Sequence, residues 1–143
     1  MNIDIKSGTN LAPGVVQKLY ISNQWNDWLN EGDIEWYLNH SYYVATAWNE
    51  TELIGIAVLV GDGRKYLELE NLLVDKEYRR KGVAKALMVD VMQAITIANP
   101  YSVKIEVFEE VTEEFYQSFG FVRNKDTWLL ELKSDLLRPI IQK

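Results

Sequence analysis

Residues 68–84 contain the residue types in this sequence that are best suited to chemistry. Two carboxylates, Glu68 and Glu70, lie in a strand-like run, and a basic turn with Gly82 follows it and opens a helix. The turn carries three cations: Arg79, Arg80 and Lys81. The first N–H groups of a helix have no partner within it and lie at the positive end of its dipole, so such a turn binds phosphate. The segment therefore predicts an anion site with potential bases upstream, which indicates a coenzyme or a nucleotide.

The composition is typical of one globular domain. The chain has 143 residues, of which 48% are hydrophobic and 25% charged, which is enough to bury a core. The net charge of −6 argues against binding nucleic acid or an anionic membrane, because both require clustered positive charge. The absence of cysteine excludes disulfides, thiolate metal sites and cysteine nucleophiles. We therefore interpret residues 1–143 as a single domain with one site.

The sequence indicates neither a targeting segment nor a metal site. Residues 1–7 lack the basic segment and apolar stretch of a signal peptide, and no window approaches about 18 consecutive apolar residues. His40 is the only histidine, and the acidic residues do not have the spacing of metal ligands. We therefore expect a cytoplasmic protein without a bound metal.

Hydrophobic periodicity predicts the elements that must position the site. Apolar alternation and β-rich runs predict strands at 1–7, 42–48, 51–60, 65–74, 102–108, 121–123 and 127–132. Helical spacing predicts helices at 15–25, 32–40, 82–98 and 112–119. Asp33 is the expected N-cap of the second helix. This order predicts an α/β (α+β) fold, in which one mixed sheet of six or seven strands has helices on both faces.

Two motifs resemble the signatures of one enzyme family. The turn at 79–84, Arg-x-x-Gly-x-Ala, resembles the acyl-CoA motif of the GCN5-related N-acetyltransferases (GNAT). Residues 115–121, Phe-Tyr-x-x-x-Gly-Phe, resemble the second signature of that family, and the predicted order of elements agrees as well. The resemblance implies a mostly antiparallel, GNAT-like sheet that splays between the strands near 65–74 and 102–108. It also implies an N-acetyltransferase that uses acetyl-CoA as its cosubstrate.

The same resemblance implies how the coenzyme would be held. Backbone amides of residues 80–85 would wrap the pyrophosphate, and the backbone of residues 72–74 would pair with the pantetheine arm. The N–H near Val74 would stabilise the thioester oxyanion. The expected coenzyme ligands are Leu72, Leu73, Val74, Arg79, Arg80, Lys81, Gly82, Val83, Ala84 and Lys85. Two positions depart from the family: Arg80 replaces a common glycine, which is tolerable if its φ is negative, and Glu109 replaces a common asparagine.

Transfer to an amine also requires a base and an acid. An alkyl ammonium with a pKa of about 10.4 is only about 0.04% neutral at pH 7, a handicap of roughly 4–5 kcal/mol. On an unbroken strand Glu68 and Glu70 share a face, and Glu68 stands where several family members have a catalytic or substrate-orienting glutamate. Glu68 is our first candidate for the base and Glu70 the second, and a solvated strand face is the alternative for both. The resemblance makes Tyr116 the acid that protonates the CoA sulfur, unless it only packs its helix.

Aromatic residues are concentrated between Tyr20 and Trp48, a segment that forms one wall of the acceptor site in this family. An aromatic face attracts an amine, although such residues also pack helices onto sheets. The candidates for the acceptor site are Trp25, Trp28, Trp36 and Tyr37. The acidic balance favours a cationic small molecule as the acceptor, and an amine of a protein is the alternative. The sequence is also compatible with a homodimer.

Two other functions fit part of the pattern. A non-catalytic acyl-CoA-binding module, which senses the coenzyme or regulates a partner, would share the binding residues and differ in turnover. Nucleotide binding is disfavoured because the sequence contains neither a P-loop nor a Gly-x-Gly-x-x-Gly fingerprint. We predict direct transfer of an acetyl group from acetyl-CoA to a primary amine in a ternary complex.

Overall fold

One mixed sheet organises the chain, of which the computed structural model describes residues 2–24, 30–106, 110–123 and 129–133. Its described strands are β1 (Asp4–Ser7), β2 (Tyr43–Asn49), β3 (Glu52–Gly61), β4 (Tyr66–Val74), β5 (Ser102–Glu106), β6 (Val122–Arg123) and β7 (Leu129–Lys133). They lie in the order β1-β2-β3-β4-β5-β7-β6. Neighbouring strands are antiparallel except for the parallel pair β4–β5. The predicted mixed, mostly antiparallel sheet of six or seven strands is confirmed.

Helices cover both faces of this sheet, as the sequence predicts. The described helices are α1 (Pro13–Ser22), α2 (Glu31–His40), α3 (Val83–Ala98) and α4 (Glu110–Gln117). On one face, which we call the α1–α2 face, the buried residues are Val16, Leu19, Tyr20, Ile34, Leu38, Val44, Leu53, Ile56, Val58 and Leu73. On the other, the α3 face, α3 and α4 enclose a larger cluster that includes Leu59, Leu67, Leu87, Val91, Val103 and Phe121. Apolar residues recur at the helical or strand period in each element, so the helices pack against both faces of the sheet and form one core on each side.

Several element ends differ from the sequence prediction. α1 begins at Pro13, since proline suits the first turn of a helix, and it ends at Ser22 rather than near residue 25. The prediction that Asp33 caps α2 is wrong: the cap is Asn30, whose Oδ1 accepts from the Asp33 N–H at 2.8 Å. A capping side chain satisfies an N–H two or three positions further on, so the cap precedes Asp33. The predicted end of the strand at 107–108, and Glu109, lie outside the described residues.

A tight turn between β3 and β4 sets the start of β4. Gly61 and Gly63 have φ values of +130° and +77°. Between them, Asp62 Oδ1 accepts from three backbone N–H groups, those of Arg64 (2.9 Å), Lys65 (2.9 Å) and Tyr66 (3.1 Å). These hydrogen bonds lower the pKa of Asp62 below its usual value, and the one from the Arg64 N–H has the largest effect. The hydrogen bonds to Asp62 therefore fix the backbone conformation of residues 64–66, where β4 begins.

The longest described helix is α3, which follows β4. It has 16 residues and begins after Gly82, whose φ is +83°. It ends at Ala98, its C-cap Asn99 has a φ of +52° and donates its N–H to Ile95 O at 2.9 Å, and Pro100 prevents a further turn. Within the described ranges, no helix is long and apolar enough to cross a membrane.

The hydrogen bond between Tyr43 of β2 and Asp90 of α3, 2.5 Å long, leads to a prediction about alkaline unfolding. Burial first, and then Asp90, raise the pKa of Tyr43 from 10.0 to about 12. At pH values between 10 and 12 the Tyr43 hydroxyl is ionised in the unfolded chain but still protonated in the native protein. The stabilisation from the Tyr43–Asp90 hydrogen bond is therefore present below pH 10 and is lost towards pH 12. Tyr43→Phe is expected to cost about 1 kcal/mol near neutral pH, and less at each step from pH 10 to pH 12.

Urea unfolding of both proteins at several pH values measures this difference. Lysines and other tyrosines titrate equally in wild type and variant, so subtracting the two curves isolates Tyr43. A difference that stayed constant from pH 8 to about pH 12 would contradict the role of the Asp90 contact.

Candidate active site

The pairing of β4 with β5 is short, and the two strands then separate. The parallel ladder consists of Tyr66↔Ser102, Leu67↔Val103 and Glu68↔Lys104. Beyond Glu68, β4 continues to Val74 without a β5 partner among the described residues, while β5 continues to Glu106 beside β7. Residues 69–74 therefore present a strand edge inside the domain, which can pair with an extended, amide-bearing ligand. The splay predicted for the sheet is confirmed.

A β-bulge lies in β4 at the mouth of this splay. The register with β3 runs from Val58↔Asn71 to Leu59↔Leu69, which leaves Glu70 without a partner on β3. Leu69 packs in the core of the α3 face, whereas Leu73 packs in that of the α1–α2 face. β4 is thus continuous but not regular: the bulge shifts the alternation of its side chains by one residue, whereas the sequence pattern predicts a regular strand.

The bulge places a buried amide beneath α1 and α2. Asn71 is only 5% exposed, and its Nδ2 donates to the hydroxyl oxygens of Tyr20 at 2.8 Å and Tyr37 at 2.9 Å. The Tyr37 hydroxyl donates in turn to the carboxylate of Glu70. Burial first, and then the Glu70 carboxylate, raise the pKa of both tyrosines, so each remains protonated at neutral pH. Glu70 is therefore held by a hydrogen-bonded network that joins both helices to β4.

Glu68, the other predicted carboxylate, has a different environment. Its Oε1 accepts from the Tyr66 hydroxyl at 2.6 Å, and Lys104 Nζ lies 5.6 Å from the centre of the Tyr66 ring. Glu68 alternates with the inward-facing Leu67 and Leu69, so it lies on the α1–α2 face, where Glu70 reaches Tyr37. Both candidate bases thus lie on one face of the sheet at the splay.

The turn after β4 has the backbone geometry of an anion site. Arg80 has a φ of +62° and Gly82 of +83°. The condition under which an arginine is tolerable at position 80, a negative φ, is therefore not met: Arg80 is a non-glycine residue in the left-handed region, which is uncommon. Left-handed residues in a turn let successive N–H groups converge on an anion, and no side chain caps the N-terminus of α3. The cationic side chains of Arg80 and Lys81 are exposed beside it.

Arg79, in contrast, is engaged within the protein. Its Nη2 donates to Asn23 Oδ1 at 2.7 Å, and its Nε donates to Val74 O at 3.3 Å. Asn23 is the C-cap of α1, and its own Nδ2 donates to Leu19 O at 2.9 Å. The Arg79 side chain therefore ties the predicted phosphate turn to the end of α1.

Tyr116 of α4 lies on the opposite side of the sheet from the two glutamates. It is 5% exposed and packs edge-on against Phe115 and Phe121, with ring centroids 5.3 Å and 6.2 Å apart. It belongs to the α3-face core, which also contains Leu69 and Ile105. Burial raises its pKa, so the phenol retains its proton at neutral pH. The two candidate carboxylates and this protonated phenol therefore lie on opposite faces of the sheet.

The aromatic residues predicted for the acceptor site divide into three groups. Trp25 and Trp28 lie outside the described residues. Trp36 is 63% exposed and stacks on His40, with ring centroids 3.7 Å apart. Tyr37, the next residue of the same helix, contacts Glu70 through its hydroxyl. Only Tyr37 among the described candidates is thus joined to the carboxylates.

Three residues of this arrangement were not predicted from the sequence: Tyr20, Asn23 and Asn71. Asn71 offered one signal, since an asparagine inside a run of leucine and valine is unfavourable in a strand unless its amide is satisfied. Tyr20 and Asn23 offered none, because their partners are 51 and 56 residues away in the chain.

Comparison with known proteins agrees with this architecture. The family model described as "Acetyltransferase (GNAT) domain" matches residues 15–128. A GNAT-family acetyltransferase from Streptococcus pneumoniae TIGR4 is 30% identical, with a TM-score of 0.74 over 85% of this chain and 88% of that one. The ribosomal-protein-S18-alanine N-acetyltransferase of Escherichia coli is 16% identical, with a TM-score of 0.75 over 92% and 93%.

A further solved structure includes the coenzyme. It is the PaiA N-acetyltransferase from Thermoplasma acidophilum in complex with coenzyme A, 18% identical, with a TM-score of 0.67 over 93% of this chain and 99% of that one. No curated protein matches the sequence.

The family model that covers residues 15–128 and the 30% identical relative place this fold and its splayed sheet in the class of acetyltransferases. The chain belongs to the GNAT acetyltransferase family. Membership supports acyltransferase activity with an acyl-CoA cosubstrate, which is what the strand edge at 69–74 and the turn at 80–82 can accommodate.

Proposed function

We propose that this protein is an acetyl-CoA-dependent N-acetyltransferase that moves the acetyl group directly to a primary amine of a small molecule. The observation that carries the proposal is the splay of β4 from β5, with Glu68 and Glu70 on one face and Tyr116 on the other. Such an opening lets an amine and a thioester approach each other from the two sides of the sheet. The proposed acid and base then lie on opposite sides of the reacting carbonyl.

The residues present fit the proposed coenzyme. The edge of β4 offers backbone groups to the amides of pantetheine, and the left-handed residues Arg80 and Gly82 shape a turn suited to pyrophosphate. Of the expected ligands, the backbone of Leu72, Leu73 and Val74 and the turn from Arg80 to Lys85 remain. Because Arg79 is engaged with Asn23, we propose that its contribution is to hold this turn rather than to contact phosphate directly.

The proposed chemistry assigns one task to each group. Acetyl-CoA supplies the activated thioester carbonyl. Glu68 or Glu70 takes a proton from the ammonium, the free amine forms the C–N bond, and the backbone N–H near Val74 stabilises the oxyanion. When the C–S bond breaks, Tyr116 gives its proton to the sulfur. The nitrogen releases its second proton to solvent, the protonated glutamate releases the first, and Tyr116 takes one proton back, so that one proton is released in each cycle.

The acceptor class is proposed from charge. The net charge of −6 and the two carboxylates at the splay favour a cationic amine over an anionic acceptor. The name of the Escherichia coli relative specifies an alanine of a ribosomal protein, so peptide amines belong in the same test.

Binding and turnover test this function separately. Acetyl-CoA at a hundred times its dissociation constant is expected to stabilise the fold by about 2.7 kcal/mol, which raises Tm by several degrees. Release of free CoA over a panel of small amines and peptides is expected for at least one small amine.

The two readouts also separate the alternatives. Stabilisation without turnover on any acceptor would indicate the non-catalytic acyl-CoA-binding module. Absence of both would contradict the proposed function and the coenzyme assignment together.

A further inference from the structure

A tyrosine of helix α2, Tyr37, donates a hydrogen bond to Glu70, one of the two candidate bases. Tyr37 lies on this helix, its hydroxyl donates to the Glu70 carboxylate, and its oxygen accepts from Asn71 Nδ2 at 2.9 Å. We propose that Tyr37 is a positioning residue that holds Glu70 at the mouth of the splay, so that Glu70 rather than Glu68 is the base. This proposal rests on the acetyltransferase function proposed above.

The chemistry of the three groups determines the direction of these hydrogen bonds. An amide nitrogen only donates and a carboxylate only accepts, so the single phenolic proton of Tyr37 goes to Glu70. Both hydrogens of the Asn71 amide are used, because Nδ2 also donates to the Tyr20 hydroxyl at 2.8 Å. Each of these hydrogen bonds therefore has one possible direction, because Asn71 Nδ2 cannot accept the proton of Tyr37.

The position of Glu70 suits a base that meets an incoming amine. Glu70 is exposed, lies at the bulge, and follows the last β4–β5 pair, in which Glu68 faces Lys104. The Glu68 carboxylate accepts a hydrogen bond from the Tyr66 hydroxyl, and Lys104 Nζ lies over the Tyr66 ring, 5.6 Å from its centre. An ammonium group is repelled by that lysine, whereas Tyr37, Tyr20 and Asn71, which form the hydrogen bonds described around Glu70, are neutral.

Tyr37 also connects two parts of the molecule that must cooperate. The family resemblance makes the α1–α2 segment a wall of the acceptor site, and Asn71 ties both of these helices to the bulge. A displacement of α2 would therefore move Tyr37 and release the carboxylate. The acceptor wall and the base are in this way held by one buried amide.

Coupling between two substitutions tests this proposal. With an amine that wild type acetylates, Tyr37→Phe is expected to lower kcat by about ten- to a hundred-fold and to leave KM for acetyl-CoA within about two-fold. In a Glu70→Gln background, Tyr37→Phe is expected to cause no further loss, because the base it positions is gone. Losses that multiplied in the double variant would overturn the proposal, since they indicate a role independent of Glu70.

Two further tyrosines serve as matched comparisons. Tyr43→Phe removes a tyrosine–carboxylate hydrogen bond of 2.5 Å on the α3 face, and kcat is expected to stay within about two-fold of wild type. Tyr66→Phe removes the corresponding bond to Glu68. If Tyr66→Phe, and not Tyr37→Phe, lost activity and was coupled to Glu68, then Glu68 would be the base and the proposal would be wrong.

A second pair of variants carries the test if Tyr37→Phe does not fold. Glu70→Asp and Glu68→Asp keep the charge and shorten the side chain at residues that are not buried. A larger fall in kcat for Glu70→Asp is expected, and the reverse order would overturn the assignment. Absence of wild-type turnover on every amine would instead contradict the proposed function, so the two failures are distinguishable.

Discussion

Tyr116→Phe is expected to lower kcat on the order of 100-fold while leaving the affinity for acetyl-CoA unchanged. The phenol is the group assigned to protonate the CoA sulfur, and its burial raises its pKa, so it carries a proton at neutral pH. The phenyl ring retains the edge-on contacts with Phe115 and Phe121, so the fold is preserved. Steady-state kinetics and a binding titration on the same preparation measure the two quantities.

Tyr43→Phe is the matched control for this variant. It also removes a hydroxyl from the α3 face, at a position outside the proposed site. Equal kcat values for wild type and Tyr116→Phe would mean that this tyrosine only packs α4 against the sheet. A parallel loss of coenzyme affinity would mean that the hydroxyl contributes to binding acetyl-CoA rather than to protonating the sulfur.

Gly61→Ala is expected to destabilise the fold by about 2–4 kcal/mol, which lowers Tm by roughly 10 °C. Gly61 has a φ of +130°, and a Cβ there would lie 2.4 Å from the backbone oxygen of Tyr66. Backbone cannot move aside as a flexible side chain does, so the turn must open. Because this turn positions the first residues of β4, acetyl-CoA is expected to bind more weakly as well.

Gly8→Ala separates strain from steric overlap. Gly8 has a similar φ of +122°, but a Cβ at that position would meet nothing within 4 Å. Its cost is expected to be about 1 kcal/mol, from the backbone conformation alone. If thermal or urea unfolding gave equal losses for the two variants, close contact at Gly61 would not be the cause.

Most of the element order could be predicted from the sequence, because it depends on patterns that extend over a few residues. The apolar residues of α3 recur at helical spacing, and Asn99-Pro100 ends the helix as predicted. The Asn49-Glu50 break also coincides with the connection of β2 to β3, where Glu50 has a φ of +56°. The cap of α2 was the exception, since Asn30 and Asp33 are both good caps and only the hydrogen bond distinguishes them.

The candidate site was predicted only in part. The residues that could bind an anion follow from a contiguous run, whereas the conformation of Arg80 does not, because an arginine alone gives no sign of a positive φ. Arg79 was grouped with the phosphate ligands by its charge. Its partner, Asn23, comes from α1, and only the packing of that helix beside β4 makes the contact.

By itself, the sequence determined the order of elements, the family and the run of residues that could hold a coenzyme. These depend on local periodicity and on motifs that are contiguous in the chain. Tertiary structure alone decided that β4 bulges at Glu70, that Asn71 turns towards α1 and α2, and that Tyr37 donates to Glu70. The physical reason is that the partner strand sets where a register shifts, and hydrogen bonds between distant residues form only once helices and sheet have packed.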